Sequence, residues 1–131
     1  MSAPSVPIVL DKEYRLRFDD TDLVVIEEKL GCGIIRLFQP DKVGLSVARV
    51  LVWRGLHTEK DNGDLVHTFP QTTAGLTEAQ KFVMDYVQTE QVSLGSVFDK
   101  LAYGLAASLG MKIVGADKGS PTSEEVTGKN P

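Results

Sequence analysis

The chain has 131 residues, of which 42% are hydrophobic, and a formal net charge of −4. This length and apolar content fit one globular domain and argue against global disorder. The acidic balance, without a basic block, argues against nucleic acid as a partner. The single cysteine leaves no partner for an internal disulfide and fits a reducing compartment. Because the N-terminus does not resemble a signal peptide and no apolar run could span a bilayer, we expect a soluble, intracellular protein.

The first part of the chain predicts a β-hairpin. Residues 8–10 form a short apolar strand, and Asp11-Lys12 stand where a two-residue turn would join it to a return strand over residues 13–18. In the return strand, apolar side chains alternate with Arg15 and Arg17, as in a strand with one buried and one solvated face. Because an isolated hairpin is marginally stable, we expect it to pack on helices or to pair with another sheet.

An amphipathic helix is predicted directly after the hairpin. Leu23, Ile26 and Leu30 recur at helical spacing. They follow an acidic start at residues 19–22, which suits the free N–H groups and the positive end of the helix dipole. Gly31 favours the left-handed conformation that ends a helix. Nothing in this strand and helix resembles a reaction centre, which points to a module that works through its surfaces.

The middle of the chain predicts a short helix, a long helix and a loop. Residues 34–38 form a single helical turn that stops before Pro40, and a long helix covers residues 44–56. The long helix has little polar surface, so we expect it to lie at the centre of the fold, buried on most sides. Residues 57–76 are polar and predict a long loop, with a brief extended piece at residues 65–69.

The last two helices have recognisable starts. Residues 77–80, Thr-Glu-Ala-Gln, match a capping box and open a helix that ends near Glu90. Ser93 or Ser96 begins the final helix, whose apolar residues fall on one stripe, and Gly110 ends it.

These elements predict an α+β fold that is mostly helical, with an N-terminal β-hairpin followed by a bundle of four to five α-helices. We expect residues 1–115 to form a single domain. The polar residues 116–131 are typical of a flexible C-terminal tail.

Few residues have side chains that could carry chemistry. His57 and His67 have no Cys or His pair at metal-ligand spacing, so we expect ordinary surface histidines. Cys32 has no base beside it in sequence and fits a small apolar residue in a tight turn. The acidic residues within 19–28 and 61–64 lack the spacing of a calcium loop and fit helix capping and a solvated face. We therefore predict no catalytic residue, no metal and no cofactor, and a protein that is not an enzyme.

Arg15 and Arg17 form the candidate partner-binding surface. They project from one side of the return strand, and a solvated face is the plainer interpretation. The other interpretation is that this face, or the free edge of the hairpin, binds a partner chain.

Four segments, in order, carry a resemblance to a known family. They are the hairpin at residues 10–18, the helix end Ile-Glu-Glu-Lys-Leu-Gly at residues 26–31, the run Leu-Val-Trp-Arg-Gly-Leu-His at residues 51–57, and Leu-Thr-Glu-Ala-Gln at residues 76–80 with a terminal helix that ends at residues 106–110. Over roughly residues 8–110, the chain resembles the small tail assembly chaperones of long-tailed bacteriophages, especially the branch shared with gene transfer agents. It departs from their pattern at Lys12, where glycine is common. It also departs in the segment of residues 60–75, which is longer and more polar than we expect for this family.

The resemblance implies a non-catalytic protein that binds the tape measure protein, keeps it soluble and helps the tail tube to assemble around it. It further implies the tail tube protein as a candidate partner. The exposed hairpin edges make a second copy of the chain another candidate, and the charge and apolar pattern of the sequence predict no nucleic acid or membrane partner. The expected location is the bacterial host cytoplasm, with the protein absent from the mature particle. The alternative is a structural minor tail or head–tail connector protein that stays in the particle. An enzyme that uses Cys32 or a histidine is a third interpretation.

Overall fold

The computed structural model describes residues 4–110 and shows an α+β fold that is mostly helical, with the predicted β-hairpin at its N-terminus. Its elements in chain order are β1 (Val6–Val9), β2 (Glu13–Leu16), α1 (Asp20–Leu30), two 3-10 turns (Ile34–Phe38 and Pro40–Lys42), α2 (Leu45–Gly55), β3 (Leu56–Glu59), β4 (Leu65–His67), α3 (Thr73–Glu90) and α4 (Leu94–Ser108). The predicted tail at residues 116–131 and the domain boundary at residue 115 lie outside the described residues.

The connection of the first hairpin has three residues, so the predicted two-residue turn is wrong. Val9 is paired with Glu13, and the Leu10 N–H donates to the Lys12 carbonyl oxygen at 2.9 Å. The side chain of Leu10 is buried in the hydrophobic core, although the residue belongs to the connection. The apolar run of residues 8–10 therefore continues beyond the strand, and its last member anchors the turn.

Residues 57–76, predicted as a long loop, contain a second β-hairpin. β3 and β4 pair antiparallel, and the Lys60 N–H closes their turn by donating to the Asp64 carbonyl oxygen at 2.8 Å. Gly63 in this turn has a φ of +90°, which glycine adopts readily. β3 also pairs with β2, so the sheet has four antiparallel strands in the order β1-β2-β3-β4. β4 has only three residues, too few to show the alternation that identifies a strand.

Both ends of α1 agree with the sequence prediction. Asp19 is the N-cap residue, and its backbone N–H donates to the Asp22 Oδ2 atom at 2.9 Å. Gly31 has a φ of +70° and ends the helix, with its N–H donating to the Glu27 carbonyl oxygen at 2.8 Å. Ile26 on the inner face is fully buried.

α2 is the central helix, as its apolar composition predicted. It contacts α1, α3 and α4 as well as β3 and β4, and most of its residues are buried. Its last residue is Gly55, because Leu56 already belongs to β3. A Cβ atom on Gly55 would lie 2.2 Å from the ring of Phe18, so glycine is what lets this ring pack directly against the end of α2.

α3 begins four residues earlier than predicted, and the capping box at residues 77–80 is wrong. The N-cap residue is Thr72, whose Oγ1 accepts a hydrogen bond from the Gly75 N–H at 3.1 Å. The Thr77 hydroxyl lies inside the helix and donates to the Thr73 carbonyl oxygen at 3.3 Å. The helix therefore includes the segment that the sequence predicted as its start.

α4 packs against the first hairpin and completes the core. Ser93 caps its start, since its Oγ accepts from the Ser96 N–H at 3.0 Å. A Cβ atom on the buried Gly104 would lie 2.6 Å from the Leu16 side chain, so α4 approaches β2 closely. Strands and helices of the described residues thus share one hydrophobic core.

Candidate functional site

Arg15 and Arg17, the predicted partner-binding pair, are both engaged within the chain. The Arg15 guanidinium donates to the Ser5 hydroxyl at 2.9 Å and to the Ser5 carbonyl oxygen at 3.1 Å. The Arg17 Nε atom lies 3.7 Å from Asp19 Oδ2. Both side chains are half-buried, so this face of β2 is less open than a fully solvated strand face. Their part in partner binding stays a prediction.

The outer edge of β1, the other predicted partner surface, offers little for an added strand. Because the Leu10 N–H bonds to the Lys12 carbonyl, the alternation of an antiparallel ladder turns the backbone groups of Pro7 and Val9 outward. Pro7 has no N–H to donate. The Val9 carbonyl oxygen already accepts a hydrogen bond from the Lys100 ammonium at 2.9 Å. Proline and lysine are the residues with which proteins protect a sheet edge.

His57 is not a surface histidine as predicted, because the second hairpin places it inside the fold. Its side chain is 1% exposed, and its ring centroid lies 4.5 Å from that of the half-buried His67. The two residues face each other on β3 and β4. His57 Nδ1 lies 2.8 Å from the Gly55 carbonyl oxygen, so this nitrogen carries the proton and donates.

Asp22 joins this histidine pair to the helices. It is 3% exposed, and its Oδ1 atom accepts from Arg54 Nε at 2.9 Å and from Arg54 Nη2 at 2.6 Å. His67 Nε2 lies 3.5 Å from the same oxygen. Burial alone would raise the pKa of Asp22, but the approach of His67, the Asp19 N–H and the Arg54 guanidinium together hold it below its ordinary value of 3.8.

The pKa of His57 is also displaced. Burial disfavours the charged imidazolium and lowers the pKa below its ordinary value of 6.5. The hydrogen bond to the Gly55 carbonyl opposes this effect, as does the Asp22 carboxylate, whereas positive charge on His67 and Arg17 adds to it. We refer to Arg17, Asp22, Arg54, His57 and His67 together as the buried polar cluster.

Cys32 is the remaining candidate for chemistry. Its side chain is half-buried and packs against the hydrophobic core. Between residues 4 and 110, no group of three or more His, Cys, Asp or Glu side chains is placed to hold a metal ion.

An apolar groove, which the sequence analysis missed, lies between α1 and the first 3-10 turn. We call it the α1 groove; it has a volume of about 440 Å³, and its apolar lining consists of Leu23, Val24, Ile34, Ile35 and Leu109. Val24 is 53% exposed and Ile35 is 66% exposed, which is high for branched aliphatic side chains. Glu27 and Arg36 add charges to the lining.

A hydrogen bond between a side chain and the backbone connects the two elements that line the α1 groove. The Glu27 side chain on α1 accepts a hydrogen bond from the Ile34 N–H at 2.9 Å, at the start of the 3-10 turn. The sequence does contain a signal for this groove. Val24-Val25 and Ile34-Ile35 are adjacent apolar pairs, and one buried face cannot take both members of a pair.

The chain matches no protein-family model, no curated protein and no solved structure. Among residues 4–110, no helix has both the length and the apolar content to cross a membrane.

Proposed function

We propose that this protein is a phage tail assembly chaperone, which binds the tape measure protein and assists tail tube assembly without catalysis. The sequence resemblance over roughly residues 8–110 supports this function. The observation that carries it is the α1 groove, where Val24 and Ile35 expose apolar surface. Exposed apolar grooves with charged rims are typical of protein–protein interaction sites.

The groove suits the apolar stripe of an amphipathic helix. Its apolar floor would cover side chains at helical spacing, while Glu27 and Arg36 offer one charge of each sign beside the floor. The family resemblance implies a long helical tape measure protein, which exposes such stripes until the tube encloses it. A chaperone that covers these stripes would keep the tape measure protein soluble.

We expect the Val24→Glu/Ile35→Glu variant to lose its binding to the tape measure protein. Carboxylates on both walls of the groove would have to be desolvated when an apolar stripe docks, which is costly. The measurement is co-expression with a tape measure protein, which the family resemblance places in the adjacent gene, followed by solubility and co-purification assays. Unchanged co-purification with the double variant would rule out the groove as the contact surface.

Matched variants separate the groove from other surfaces. Val66→Glu changes a valine on β4 that is 42% exposed and lies outside the groove, so it should leave binding unchanged. Arg15→Ala tests the predicted sheet surface; loss of binding with this variant alone would move the contact to β2. If the unaltered protein leaves the tape measure protein insoluble and unbound, the proposed function fails.

The alternative, a structural tail or connector protein, differs in one observable. We expect mass spectrometry of mature particles to find no copies of a chaperone. A fixed number of copies per particle would favour the structural role.

A further inference from the structure

The buried polar cluster brings together side chains from four elements of the fold. Asp22 lies on α1 and Arg54 on α2, while His57 and His67 lie on β3 and β4. The pairing of β3 with β2 covers only two residue pairs, Arg15 with His57 and Leu16 with Leu56. The outer strand β4 contacts β3 along the sheet and reaches α1 through the approach of His67 to Asp22.

Even without a charge on the histidines, the cluster holds two guanidinium groups and one carboxylate. The buried Asp22 carboxylate faces the guanidinium of Arg54, and Arg17, which directly follows β2, adds a second positive charge near His57. Arg15, which is paired with His57 across the strands, is a further cation on β2. Asp19 lies 3.7 Å from Arg17 and compensates part of that charge.

His57 needs only one proton for its hydrogen bond. It donates from Nδ1 to the Gly55 carbonyl oxygen, and His67 Nε2 lies 3.5 Å from Asp22 Oδ1. A neutral His57 ring has one N–H, which the bond to Gly55 uses. A second proton on His57 would place an imidazolium in a site that is 1% exposed, with its ring centroid 4.5 Å from His67.

We propose that the buried polar cluster is an acid-sensitive latch, which keeps the β3–β4 hairpin closed over His57 at neutral pH and releases it when His57 is protonated. An imidazolium at His57 would be buried, with its ring centroid 4.5 Å from that of His67 and the positive charge of Arg17 nearby. The Asp22 carboxylate is already paired with the Arg54 guanidinium. Opening the hairpin returns His57 to water, where it can be charged.

The direction of the pH effect follows from the burial of His57. Its pKa in the folded protein is below 6.5, so the opened hairpin binds a proton more tightly than the closed one. The latch is therefore at full strength above about pH 6.5 and weakens as the pH falls below this value. The population of the open hairpin rises about tenfold for each unit of difference between the two pKa values.

Hydrogen exchange of two hairpin amides tests the latch. The Lys60 N–H bonds to the Asp64 carbonyl and the Thr68 N–H to the Leu56 carbonyl, so both report whether the hairpin is closed. Between about pH 7 and about pH 5 we expect their protection factors, corrected for intrinsic exchange, to fall, by up to the roughly thirtyfold limit that an opened-state pKa of about 6.5 sets at pH 5. Backbone amides in the middle of α4 should keep their protection over the same range.

Two variants separate titration of His57 from other acid effects. His57→Asn keeps an amide donor for the Gly55 carbonyl but cannot become charged, so its hairpin protection should be independent of pH in this range. His67→Gln keeps a donor towards Asp22 and leaves His57 able to titrate, so the fall in protection should persist in this variant. An NMR titration of the unaltered protein should place the midpoint of His57 below 6.5.

Several results would overturn the latch. One is hairpin protection in the unaltered protein that does not change with pH, and another is an undiminished fall in His57→Asn. Equal loss of protection in α4 would show global unfolding instead of local release. If His57→Asn does not fold, a His57 midpoint at or above 6.5 in the unaltered protein decides against the latch.

Discussion

Replacing Asp22 with alanine should lower the free energy of unfolding by about 3–5 kcal/mol, the range measured when one member of a buried ion pair is removed. The substitution leaves the Arg54 guanidinium, whose side chain is 12% exposed, without its carboxylate partner. It also removes the acceptor of the Asp19 N–H at the start of α1. Urea denaturation followed by circular dichroism measures the change.

Asp20→Ala is the matched control for this prediction. Asp20 is an exposed carboxylate in the same first turn of α1, so its loss should cost no more than about 1 kcal/mol through the helix dipole. The Asp22→Ala/Arg54→Ala double variant should be less destabilised than the sum of its single variants, because neither charge is left unpaired. If Asp22→Ala and Asp20→Ala have equal effects, the ion pair is not a stabilising contact.

Replacing Phe18 with alanine should lower the free energy of unfolding by about 3–5 kcal/mol. The Phe18 side chain is 0% exposed, and its ring fills the space at the end of α2 that Gly55 leaves open. The residue directly precedes the N-cap of α1, so the cavity would open where β2, α1 and α2 meet. Chemical denaturation of the purified variant measures the loss.

Gly55→Ala provides the partner variant for a thermodynamic cycle. Alone, it should destabilise by about 1–3 kcal/mol, because its Cβ would lie 2.2 Å from the Phe18 ring. In the Phe18→Ala background that clash is absent, so the second substitution should cost at least about 1 kcal/mol less than it does alone. Strict additivity would mean that the ring and the glycine do not contact each other as described.

The parts of the fold that follow from local pattern could be predicted from the sequence. The change from strand to helix spacing between Tyr14 and Leu30 predicted β2 and α1, and Gly31 predicted the end of α1. The apolar composition of α2 predicted its central position. The second hairpin could not be predicted in this way, because β4 is a three-residue strand that is defined by its pairing with β3.

The candidate sites were harder to predict because they depend on distant residues. Asp22 and Arg54 are 32 positions apart, and neither residue type identifies the other as its partner. The sequence predicts surface histidines at positions 57 and 67 because neither has a partner at metal-ligand spacing, whereas the pairing of β3 with β4 buries His57. The α1 groove arises where an exposed valine of α1 meets the 3-10 turn, a contact set by tertiary packing.

The two edges of the sheet have different consequences for self-association. The β1 edge is obstructed by Pro7 and by the Lys100 ammonium on the Val9 carbonyl. Within residues 4–110, β4 forms the other edge of the sheet and pairs only with β3. If β4 pairs with a second copy of this chain, we expect a two-fold symmetric pair and not a fibre, because the obstructed β1 edge is poorly suited to add a further strand.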